Sequence, residues 1–173
     1  MSDLTWIAVY TKPRHEKKVK DEFDQREIEN YLPLIRQKRR WSDRMKWVDM
    51  PVFRSYIFSR IELKNSLYVL QTPGVHHIVK IGGEIARVRD EQIQAVKIML
   101  EGGDDPEAED YFSVGDEAEV IGGPLRGLKG IVIRKASGDR LMIRIDAIQH
   151  ALSVQIDRKF LRRGKKVHGA SVL

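Results

Sequence analysis

The 173-residue chain contains no cysteine. This absence excludes disulfide bridges, zinc ribbons built on thiolates and thiol catalysis. No apolar run approaches the roughly 20 residues that a membrane-spanning helix requires, and the N-terminus lacks the apolar segment of a signal peptide. We therefore expect a soluble, cytoplasmic protein with no membrane partner. Hydrophobic residues make up 42% of the chain, which is enough for a folded core.

The net charge of +6 is distributed unevenly along the chain. Residues 1–60 hold fourteen basic and nine acidic residues, and residues 120–173 hold twelve basic and three acidic residues. Residues 101–119 between them hold nine acidic residues and no basic residue. Two basic bodies joined by an acidic strip predict two units, each able to face a polyanion. Ordinary surface charge is the alternative interpretation.

The first 101 residues alternate between strand-like and helix-like patterns. Val19 and Phe23 are four residues apart among charged neighbours, which indicates an amphipathic helix packed on a sheet. Apolar runs predict strands over 4–11, 29–38 (bent at a proline), 52–61 and 75–81, and helices over 14–26, 67–70 and 90–101. This order predicts an α+β sandwich of ferredoxin-like type over residues 1–101.

The rest of the chain has the pattern of a linker followed by a small barrel. Residues 102–112 combine glycine, proline and acidic residues, which is typical of a flexible linker. A β-barrel over residues 113–164 is indicated by short strand-like runs near 116–122, 129–135, 140–146 and 151–157. A basic tail over 165–173 follows, for which a solvated terminus and a nucleic-acid contact are alternatives.

Residues 114–134 are the most informative stretch. A turn at 122–124 (Gly-Gly-Pro) separates two strand-like runs, and Gly127 and Gly130 punctuate the return into the second run. Glycine tolerates the positive φ of tight turns, and proline fixes φ for the first central position of a turn. The stretch resembles the KOW motif of transcription elongation factors and some ribosomal proteins, which lies in an SH3-like β-barrel.

Further motifs resemble the NusG family of bacterial transcription elongation factors. They are Trp-Ile-Ala-Val-Tyr-Thr-Lys-Pro-Arg-His-Glu at 6–16, Pro-Val-Phe-Arg-Ser-Tyr-Ile-Phe at 51–58 and Thr-Pro-Gly-Val at 72–75, followed by the KOW stretch. The segments 31–34 (Tyr-Leu-Pro-Leu) and 40–44 (Arg-Trp-Ser-Asp-Arg) are more similar to the specialised paralogues. Those include RfaH and the UpxY-type antiterminators of capsular-polysaccharide operons.

The resemblance implies an N-terminal domain that binds RNA polymerase. In the family, an apolar cavity receives the tip of the clamp helices of the β′ subunit, and the matching positions are Trp6, Tyr10, Phe53, Tyr56 and Phe58. Ordinary core packing is the alternative for these aromatic residues. Arg54 and Ser55 stand where family members often have proline and glycine, so either the turn is less rigid or Arg54 adds a charge contact to polymerase.

A second contact implied by the resemblance reaches the gate loop of the β subunit. The matching positions are Asn65 and Ser66, for which a plain helix cap is the alternative. Bridging the clamp and the gate loop would favour the elongating state of polymerase and disfavour pausing, because a ligand shifts a population toward the state that it binds better.

Basic residues near the first helix match the family positions that face the non-template DNA strand of the transcription bubble. These are Lys12, Arg14, His15, Lys17 and Lys18, to which we add Arg39, Arg40 and Arg44 at a basic tip over 39–45. Helix N-termini and basic side chains favour phosphate. Trp41 within the tip is a candidate base-stacking platform, and a tryptophan folded back onto its own hairpin is the alternative.

In the family, the barrel recruits termination factor Rho or the ribosomal protein NusE. The matching positions, expected as exposed apolar residues at barrel turns, are Leu125, Leu128, Val132 and Ile148, with core packing as the alternative for Val132. In RfaH this domain can refold as a helical hairpin. The β-branched, glycine-punctuated sequence here favours the barrel.

No pattern of an enzyme is present. The five histidines lack metal-ligand spacing, and His76 and His77 are expected on opposite faces of a strand. No phosphate-binding loop or nucleophile elbow is found, so no catalytic residue, metal or cofactor is expected. The sequence predicts a monomeric antitermination or elongation regulator. The alternatives are a general NusG-like factor that links polymerase to Rho or the ribosome, and a ribosome-associated KOW protein that binds RNA.

Overall fold

The computed structural model describes residues 3–111 and 113–164. The chain divides into two compact units, and the division falls inside a helix, after Ile93. The first unit also includes the short turn Asp146–Ile148. Within the described residues, no helix has the length and apolar character needed to cross a membrane.

The first unit is an α+β structure, as predicted. Its strands are β1 (Leu4–Thr11), β2 (Asn30–Tyr31), β3 (Leu34–Trp41), β4 (Arg44–Pro51), β5 (Tyr56–Glu62), β6 (Val75–Ile78), β7 (Lys80–Ile81), β8 (Glu84–Ile85) and β9 (Arg87–Val88). Its helices are α1 (Glu16–Gln25), α2 (Ser66–Leu70) and the start of α3 (Asp90–Gly102). The main sheet has the antiparallel order β2-β5-β1-β6, and β9 also pairs with β1.

The core of the first unit lies between this sheet and α1. Ile7 and Val9 alternate along β1, so both side chains point to one face of the sheet. They share a buried cluster with Val19 and Phe23, which lie one helical turn apart on α1. The amphipathic helix predicted from this spacing is confirmed.

Strands β3 and β4 form a separate two-stranded hairpin. Their pairing runs from Leu34 opposite Pro51 to Trp41 opposite Arg44, and only residues 42 and 43 make the turn. The sequence predicted a bent strand that ended at residue 38 and a polar tip over 39–45. The predicted strand end is wrong, because backbone pairing continues to Trp41 and resumes at Arg44. The break between β2 and β3 agrees with the predicted bend at the proline, and residues 39–45 are exposed, in agreement with a polar tip.

The second unit is built mainly from strands, as expected for a KOW, SH3-like fold. Its strands are β10 (Asp104–Glu109), β11 (Asp116–Val120), β12 (Lys129–Lys135), β13 (Gly138–Ile145), β14 (His150–Gln155) and β15 (Leu161–Arg163). They form one antiparallel sheet in the order β10-β14-β13-β12-β11-β15. The four strands predicted from spacing correspond to β11 to β14, whereas β10 and β15 were not predicted.

Strand β10 occupies most of the segment predicted as a flexible linker, so this part of the prediction is wrong. The strand pairs with β14, and its acidic side chains lie close to Lys135 of β12 and Arg140 of β13. Glu109 accepts a hydrogen bond from the Ser153 hydroxyl (2.6 Å) and lies 2.6 Å from the Lys135 ammonium. The pKa of Glu107 is lowered mainly by its hydrogen bond from Lys135. The acidic composition of the segment suggested solvated side chains, but Glu107 and Glu109 both form ion pairs with Lys135.

Candidate functional site

A partly exposed group of four rings lies at the end of the main sheet. The Tyr10 ring meets Tyr56 edge-on, with centroids 5.2 Å apart, and stacks on His77 at 5.0 Å. Tyr10 is also edge-on to His76 at 5.8 Å. We call Tyr10, Tyr56, His76 and His77 the aromatic patch. Both tyrosines are half-buried and both histidines are exposed, so the patch offers ring surface together with polar atoms.

The two histidines lie on the same side of the sheet, and the prediction of opposite faces is wrong. Tyr10 is paired with His77, but Thr11 is paired with Val75, so the strand contains a bulge at His76. A bulge places two residues opposite one and interrupts the alternation of side chains. The Nδ1 atoms of His76 and His77 consequently lie 2.7 Å apart. One Nδ1 donates and the other accepts, so only one of these two nitrogen atoms carries a hydrogen.

The patch favours uncharged side chains. Burial, with a smaller contribution from the neighbouring Tyr10, raises the pKa of Tyr56. Partial loss of water around the otherwise exposed His77 ring, with a smaller contribution from His76, lowers the pKa of His77. Both shifts stabilise the neutral form, because removing a group from water disfavours its charged state. The patch is therefore suited to an apolar partner with polar groups at its rim.

The other three aromatic residues predicted for this cavity lie in the core. Trp6 is 5% exposed, Phe53 1% and Phe58 0%. Phe53 packs edge-on against Phe58 with centroids 6.2 Å apart. The core interpretation therefore holds for these three residues, and only Tyr10 and Tyr56 of the predicted set are accessible to a partner.

A basic groove lies between the start of α1 and the hairpin. Its charged lining comprises Arg14, Lys17, Arg39 and Arg54, with Glu16 and Asp49 as the acidic members. The sequence assigned Arg54 to the polymerase-binding set. The structure places it beside residues of the predicted nucleic-acid set, because the loop before β5 folds against the first turn of α1.

A hydrogen bond fixes that loop. The backbone N–H of Ser55 donates to Oε1 of the buried Glu16 at 2.7 Å. Ser55 has a φ of 64°, in the left-handed region that favours glycine. Glycine is the residue that family members often have here, so the backbone conformation itself explains that preference. No sequence pattern indicated that Glu16 has this role.

The remaining predicted nucleic-acid residues of α1 are placed differently. Lys12 and Lys18 are exposed but do not line the groove. His15 is partly buried, and its Nδ1 lies 2.9 Å from the carbonyl oxygen of Pro13. His15 therefore helps to shape the turn that leads into α1.

The hairpin carries exposed tryptophans. Trp41 is 67% exposed, which contradicts the alternative in which it folds back onto the hairpin, and the Lys46 ammonium lies 5.6 Å from its ring centroid. Trp47 is 56% exposed and was not predicted as a site residue. The guanidinium of Arg36 and the ammonium of Lys38 lie 5.8 and 6.0 Å from the Trp47 ring centroid. A predicted hairpin register that pairs Trp47 with Lys38 could have indicated Trp47 as a site residue.

Helix α2 exposes apolar side chains beside the predicted gate-loop positions. Asn65 stands at the N-cap, but its side chain makes no capping hydrogen bond, so a side-chain cap does not account for it. Leu67, Tyr68 and Leu70 are all exposed on this short helix. The surface around Asn65 and Ser66 is therefore more apolar than the motif alone indicated.

The predicted partner positions on the barrel are mostly buried. Leu125, Leu128 and Ile148 are buried and Val132 is half-buried, so the expectation of exposed apolar side chains is wrong for the first three. The turn explains two of them. Leu128 N–H donates to the carbonyl of Leu125 at 3.1 Å, and Gly127 N–H donates to that of Val120 at 2.8 Å. This tight turn directs both leucines inward.

Among residues 3–111 and 113–164, no group of three or more acidic or histidine side chains is arranged to hold a metal ion. The aromatic patch, the basic groove and the exposed tryptophans are the candidate binding surfaces of the first unit.

Comparison with known proteins identifies the family. The model of the family described as transcription termination factor nusG matches residues 4–97. The chain is similar to the solved structure of Thermotoga maritima NusG, at 18% identity with a TM-score of 0.57, over 93% of this chain and 97% of that chain. It also matches the MjSpt4:Spt5 complex at 17% identity with a TM-score of 0.30, over 93% and 99%. No curated protein matches.

The family model covers more than half of the chain, and the Thermotoga structure supports the same fold over nearly its whole length. The chain belongs to the NusG family of transcription factors, which are non-enzymatic regulators of transcript elongation. At 18% identity the Thermotoga structure shows the fold alone.

Proposed function

We propose that this protein is a specialised NusG paralogue that binds RNA polymerase and suppresses pausing or termination at particular operons, such as those for surface-polysaccharide synthesis. The observation that carries the proposal is the accessible pair Tyr10 and Tyr56, whose rings meet at 5.2 Å at the family's polymerase-binding positions. The tip of the β′ clamp helices would lie on this pair. Such a role places the protein in the cytoplasm, acting as a monomer.

The chemistry of the aromatic patch supports this contact. A helical tip presents apolar side chains and unsatisfied backbone groups, and tyrosine offers ring area plus a hydroxyl at low cost in side-chain entropy. Asn65 and Ser66, with the exposed Leu67, would contact the gate loop of the β subunit. Binding both elements at once would hold the main channel of polymerase closed and favour elongation.

The basic groove supports a contact with the non-template strand. Arg14, Lys17, Arg39 and Arg54 line one continuous groove, and Arg40, Arg44 and Trp41 lie on the adjoining hairpin. Phosphate contacts from these groups would position the strand without reading its sequence. Arg54 and the basic hairpin are also the features that favour a specialised paralogue over a general factor.

The barrel supports a second binding role for residues 113–164, with Rho or NusE as the candidate partner. Leu125 and Leu128 are buried, whereas Ile121 directly after β11 is exposed and Val132 on β12 is half-buried. We therefore propose that Ile121 and Val132 contribute more to this contact than the two leucines do.

The test is capture of core RNA polymerase by the tagged full-length protein. Tyr56→Ala should reduce retention at least tenfold, because a central aromatic anchor typically carries more than 1.4 kcal/mol of binding free energy. Tyr111→Ala, in the second unit, is the matched control and should bind as the wild type does. A competing clamp-helix fragment should abolish retention.

Normal retention of Tyr56→Ala would refute the aromatic contact. Absence of wild-type retention, with the protein instead following ribosomes or free RNA, would favour the ribosome-associated alternative.

A further inference from the structure

The hairpin β3–β4 has two chemically similar faces. Cross-strand partners in an antiparallel pair share a face, so Trp41 and Arg39 lie on one face with Val48, which lines the basic groove. We call this the inner face. The opposite, outer face carries Arg36, Lys38, Arg40, Met45 and Trp47 towards the turn of the hairpin. At the base of the hairpin it carries Leu34, Asp49 and Pro51, of which Asp49 and Pro51 also reach the basic groove. The two tryptophans therefore point in opposite directions.

The outer face combines exposed ring surface with an excess of positive charge. More than half of Trp47 is exposed, and two cations lie within about 6 Å of its ring. Asp49, opposite Arg36, is the one acidic residue among the eight paired residues of this face. Because more than half of Trp47 stays in water, the ring contributes little burial to the first unit and leaves aromatic surface accessible to a ligand.

We propose that the outer face is a second surface for single-stranded nucleic acid, on which Trp47 stacks against an unpaired base and Arg36 and Lys38 contact the flanking phosphates. The inference rests on the proposed function, which assigns nucleic acid to the inner face. The hairpin then contacts nucleic acid on both faces and lies between two single-stranded segments.

The spacing of the cations fits this ligand. Arg36, Lys38 and Arg40 recur every second residue on β3, which is about 6.6 Å along a strand. A row of cations of this kind can follow the phosphate backbone of an extended single strand. An aromatic platform within a row of cations is the arrangement by which proteins bind single strands without strong sequence preference. An acidic protein surface would satisfy the charges but would not need the exposed ring.

The test is fluorescence anisotropy of a labelled 12-nucleotide oligodeoxythymidine titrated with the full-length protein at several salt concentrations. Trp47→Leu should weaken binding about tenfold, since loss of one base–aromatic stack costs about 1–3 kcal/mol. The dependence of log K on log salt should not change, because no phosphate contact is lost. Trp47→Phe, which keeps a ring, should bind within about threefold of wild type.

Arg36→Ala provides the contrasting electrostatic variant. It should reduce the magnitude of the salt slope by about 0.7, the value for one phosphate contact on a single strand. Trp41→Leu tests the inner face in the same assay, so that the two faces are separated.

A second measurement leaves Trp47 in place. In Trp41→Phe, the remaining tryptophans are the buried Trp6 and the exposed Trp47. The oligonucleotide should quench the solvent-exposed part of the emission, and absence of quenching at saturation would overturn the inference even if a leucine variant were misfolded.

Other outcomes separate the inference from the proposed function. Weakened binding by Trp41→Leu together with normal binding by Trp47→Leu would overturn the outer face and leave the inner face intact. No binding of the oligonucleotide by the wild type at low salt would overturn both nucleic-acid surfaces, while capture of polymerase would still test the aromatic patch.

Discussion

Ser55 donates its backbone N–H to the buried carboxylate of Glu16 at 2.7 Å, across 39 positions of sequence. The bond ties the loop before β5 to the first turn of α1. It thereby sets Arg54, the residue before Ser55, beside Arg14 and Lys17 in the basic groove. One hydrogen bond thus connects the stability of the first unit to the arrangement of its proposed nucleic-acid surface.

Glu16→Ala should lower the free energy of unfolding by about 1–3 kcal/mol, because the Ser55 N–H loses its acceptor in a partly buried site. It should also weaken oligonucleotide binding by releasing the loop that holds Arg54, although loss of one negative charge from a basic groove would by itself strengthen that binding. Urea denaturation and anisotropy measure the two effects. Glu22→Ala, on the same helix with a distant 3.9 Å ion pair, should change stability by less than about 0.5 kcal/mol. Equal effects of the two variants would contradict the role of Glu16.

Ser55→Gly should stabilise the protein by about 1 kcal/mol at most. Ser55 has a positive φ, which costs a residue with a Cβ atom about 1–2 kcal/mol, and the larger entropy that glycine loses on folding offsets part of the gain. Its backbone bond to Glu16 is retained. Thermal unfolding measures the change, and Ser66→Gly at the start of α2 is a contrasting control that should destabilise. A lower melting temperature for Ser55→Gly would show that the turn is not strained.

The sequence predicted those parts of the fold that depend on short-range periodicity. The spacing of Val19 and Phe23 indicated α1 and its buried face, and the turn residues at 122–124 indicated the boundary between β11 and β12. Strand β10 was missed because its acidic residues are paired by Lys135 and Arg140, which lie far away in sequence. Such long-range pairing has no local signature.

The candidate site was predictable in the same limited way. Motif matching found Tyr10 and Tyr56, but it could not distinguish them from the buried Phe53 and Phe58, since burial depends on tertiary packing. His76 lies in the aromatic patch because of a bulge that no residue pattern predicts. The Trp47 surface follows from hairpin register, which was not predicted beyond residue 38.

Arg140→Ala should destabilise the second unit by about 3–5 kcal/mol, the usual cost of breaking a buried charge pair from one side. Arg140 is completely buried, donates to the Ser153 hydroxyl at 2.7 Å, and lies 3.7 Å from the carboxylate of Glu109. Its removal leaves these groups without their shared cation. Denaturant unfolding measures the loss, and Arg134→Ala, an exposed arginine on β12, should change stability by less than about 0.5 kcal/mol. A small loss for Arg140→Ala would mean that water replaces the guanidinium.

The histidine pair predicts a pH dependence of stability and of polymerase capture. The pKa of His77 is lowered from its ordinary value of 6.5, chiefly by partial loss of water around the ring and then by His76. Because the unfolded chain then binds more protons, His77 contributes stability above pH 6.5 that is lost as the pH falls through the lower folded pKa. Protonation of both rings would also remove the acceptor from the 2.7 Å Nδ1 contact and charge the surface around Tyr10.

Melting temperature and polymerase retention should therefore decrease together between pH 7.5 and 5.5. The decrease should be smaller in His77→Gln and unchanged in His150→Gln, the control in the second unit. An identical pH profile for wild type and His77→Gln would show that the pair does not control this surface.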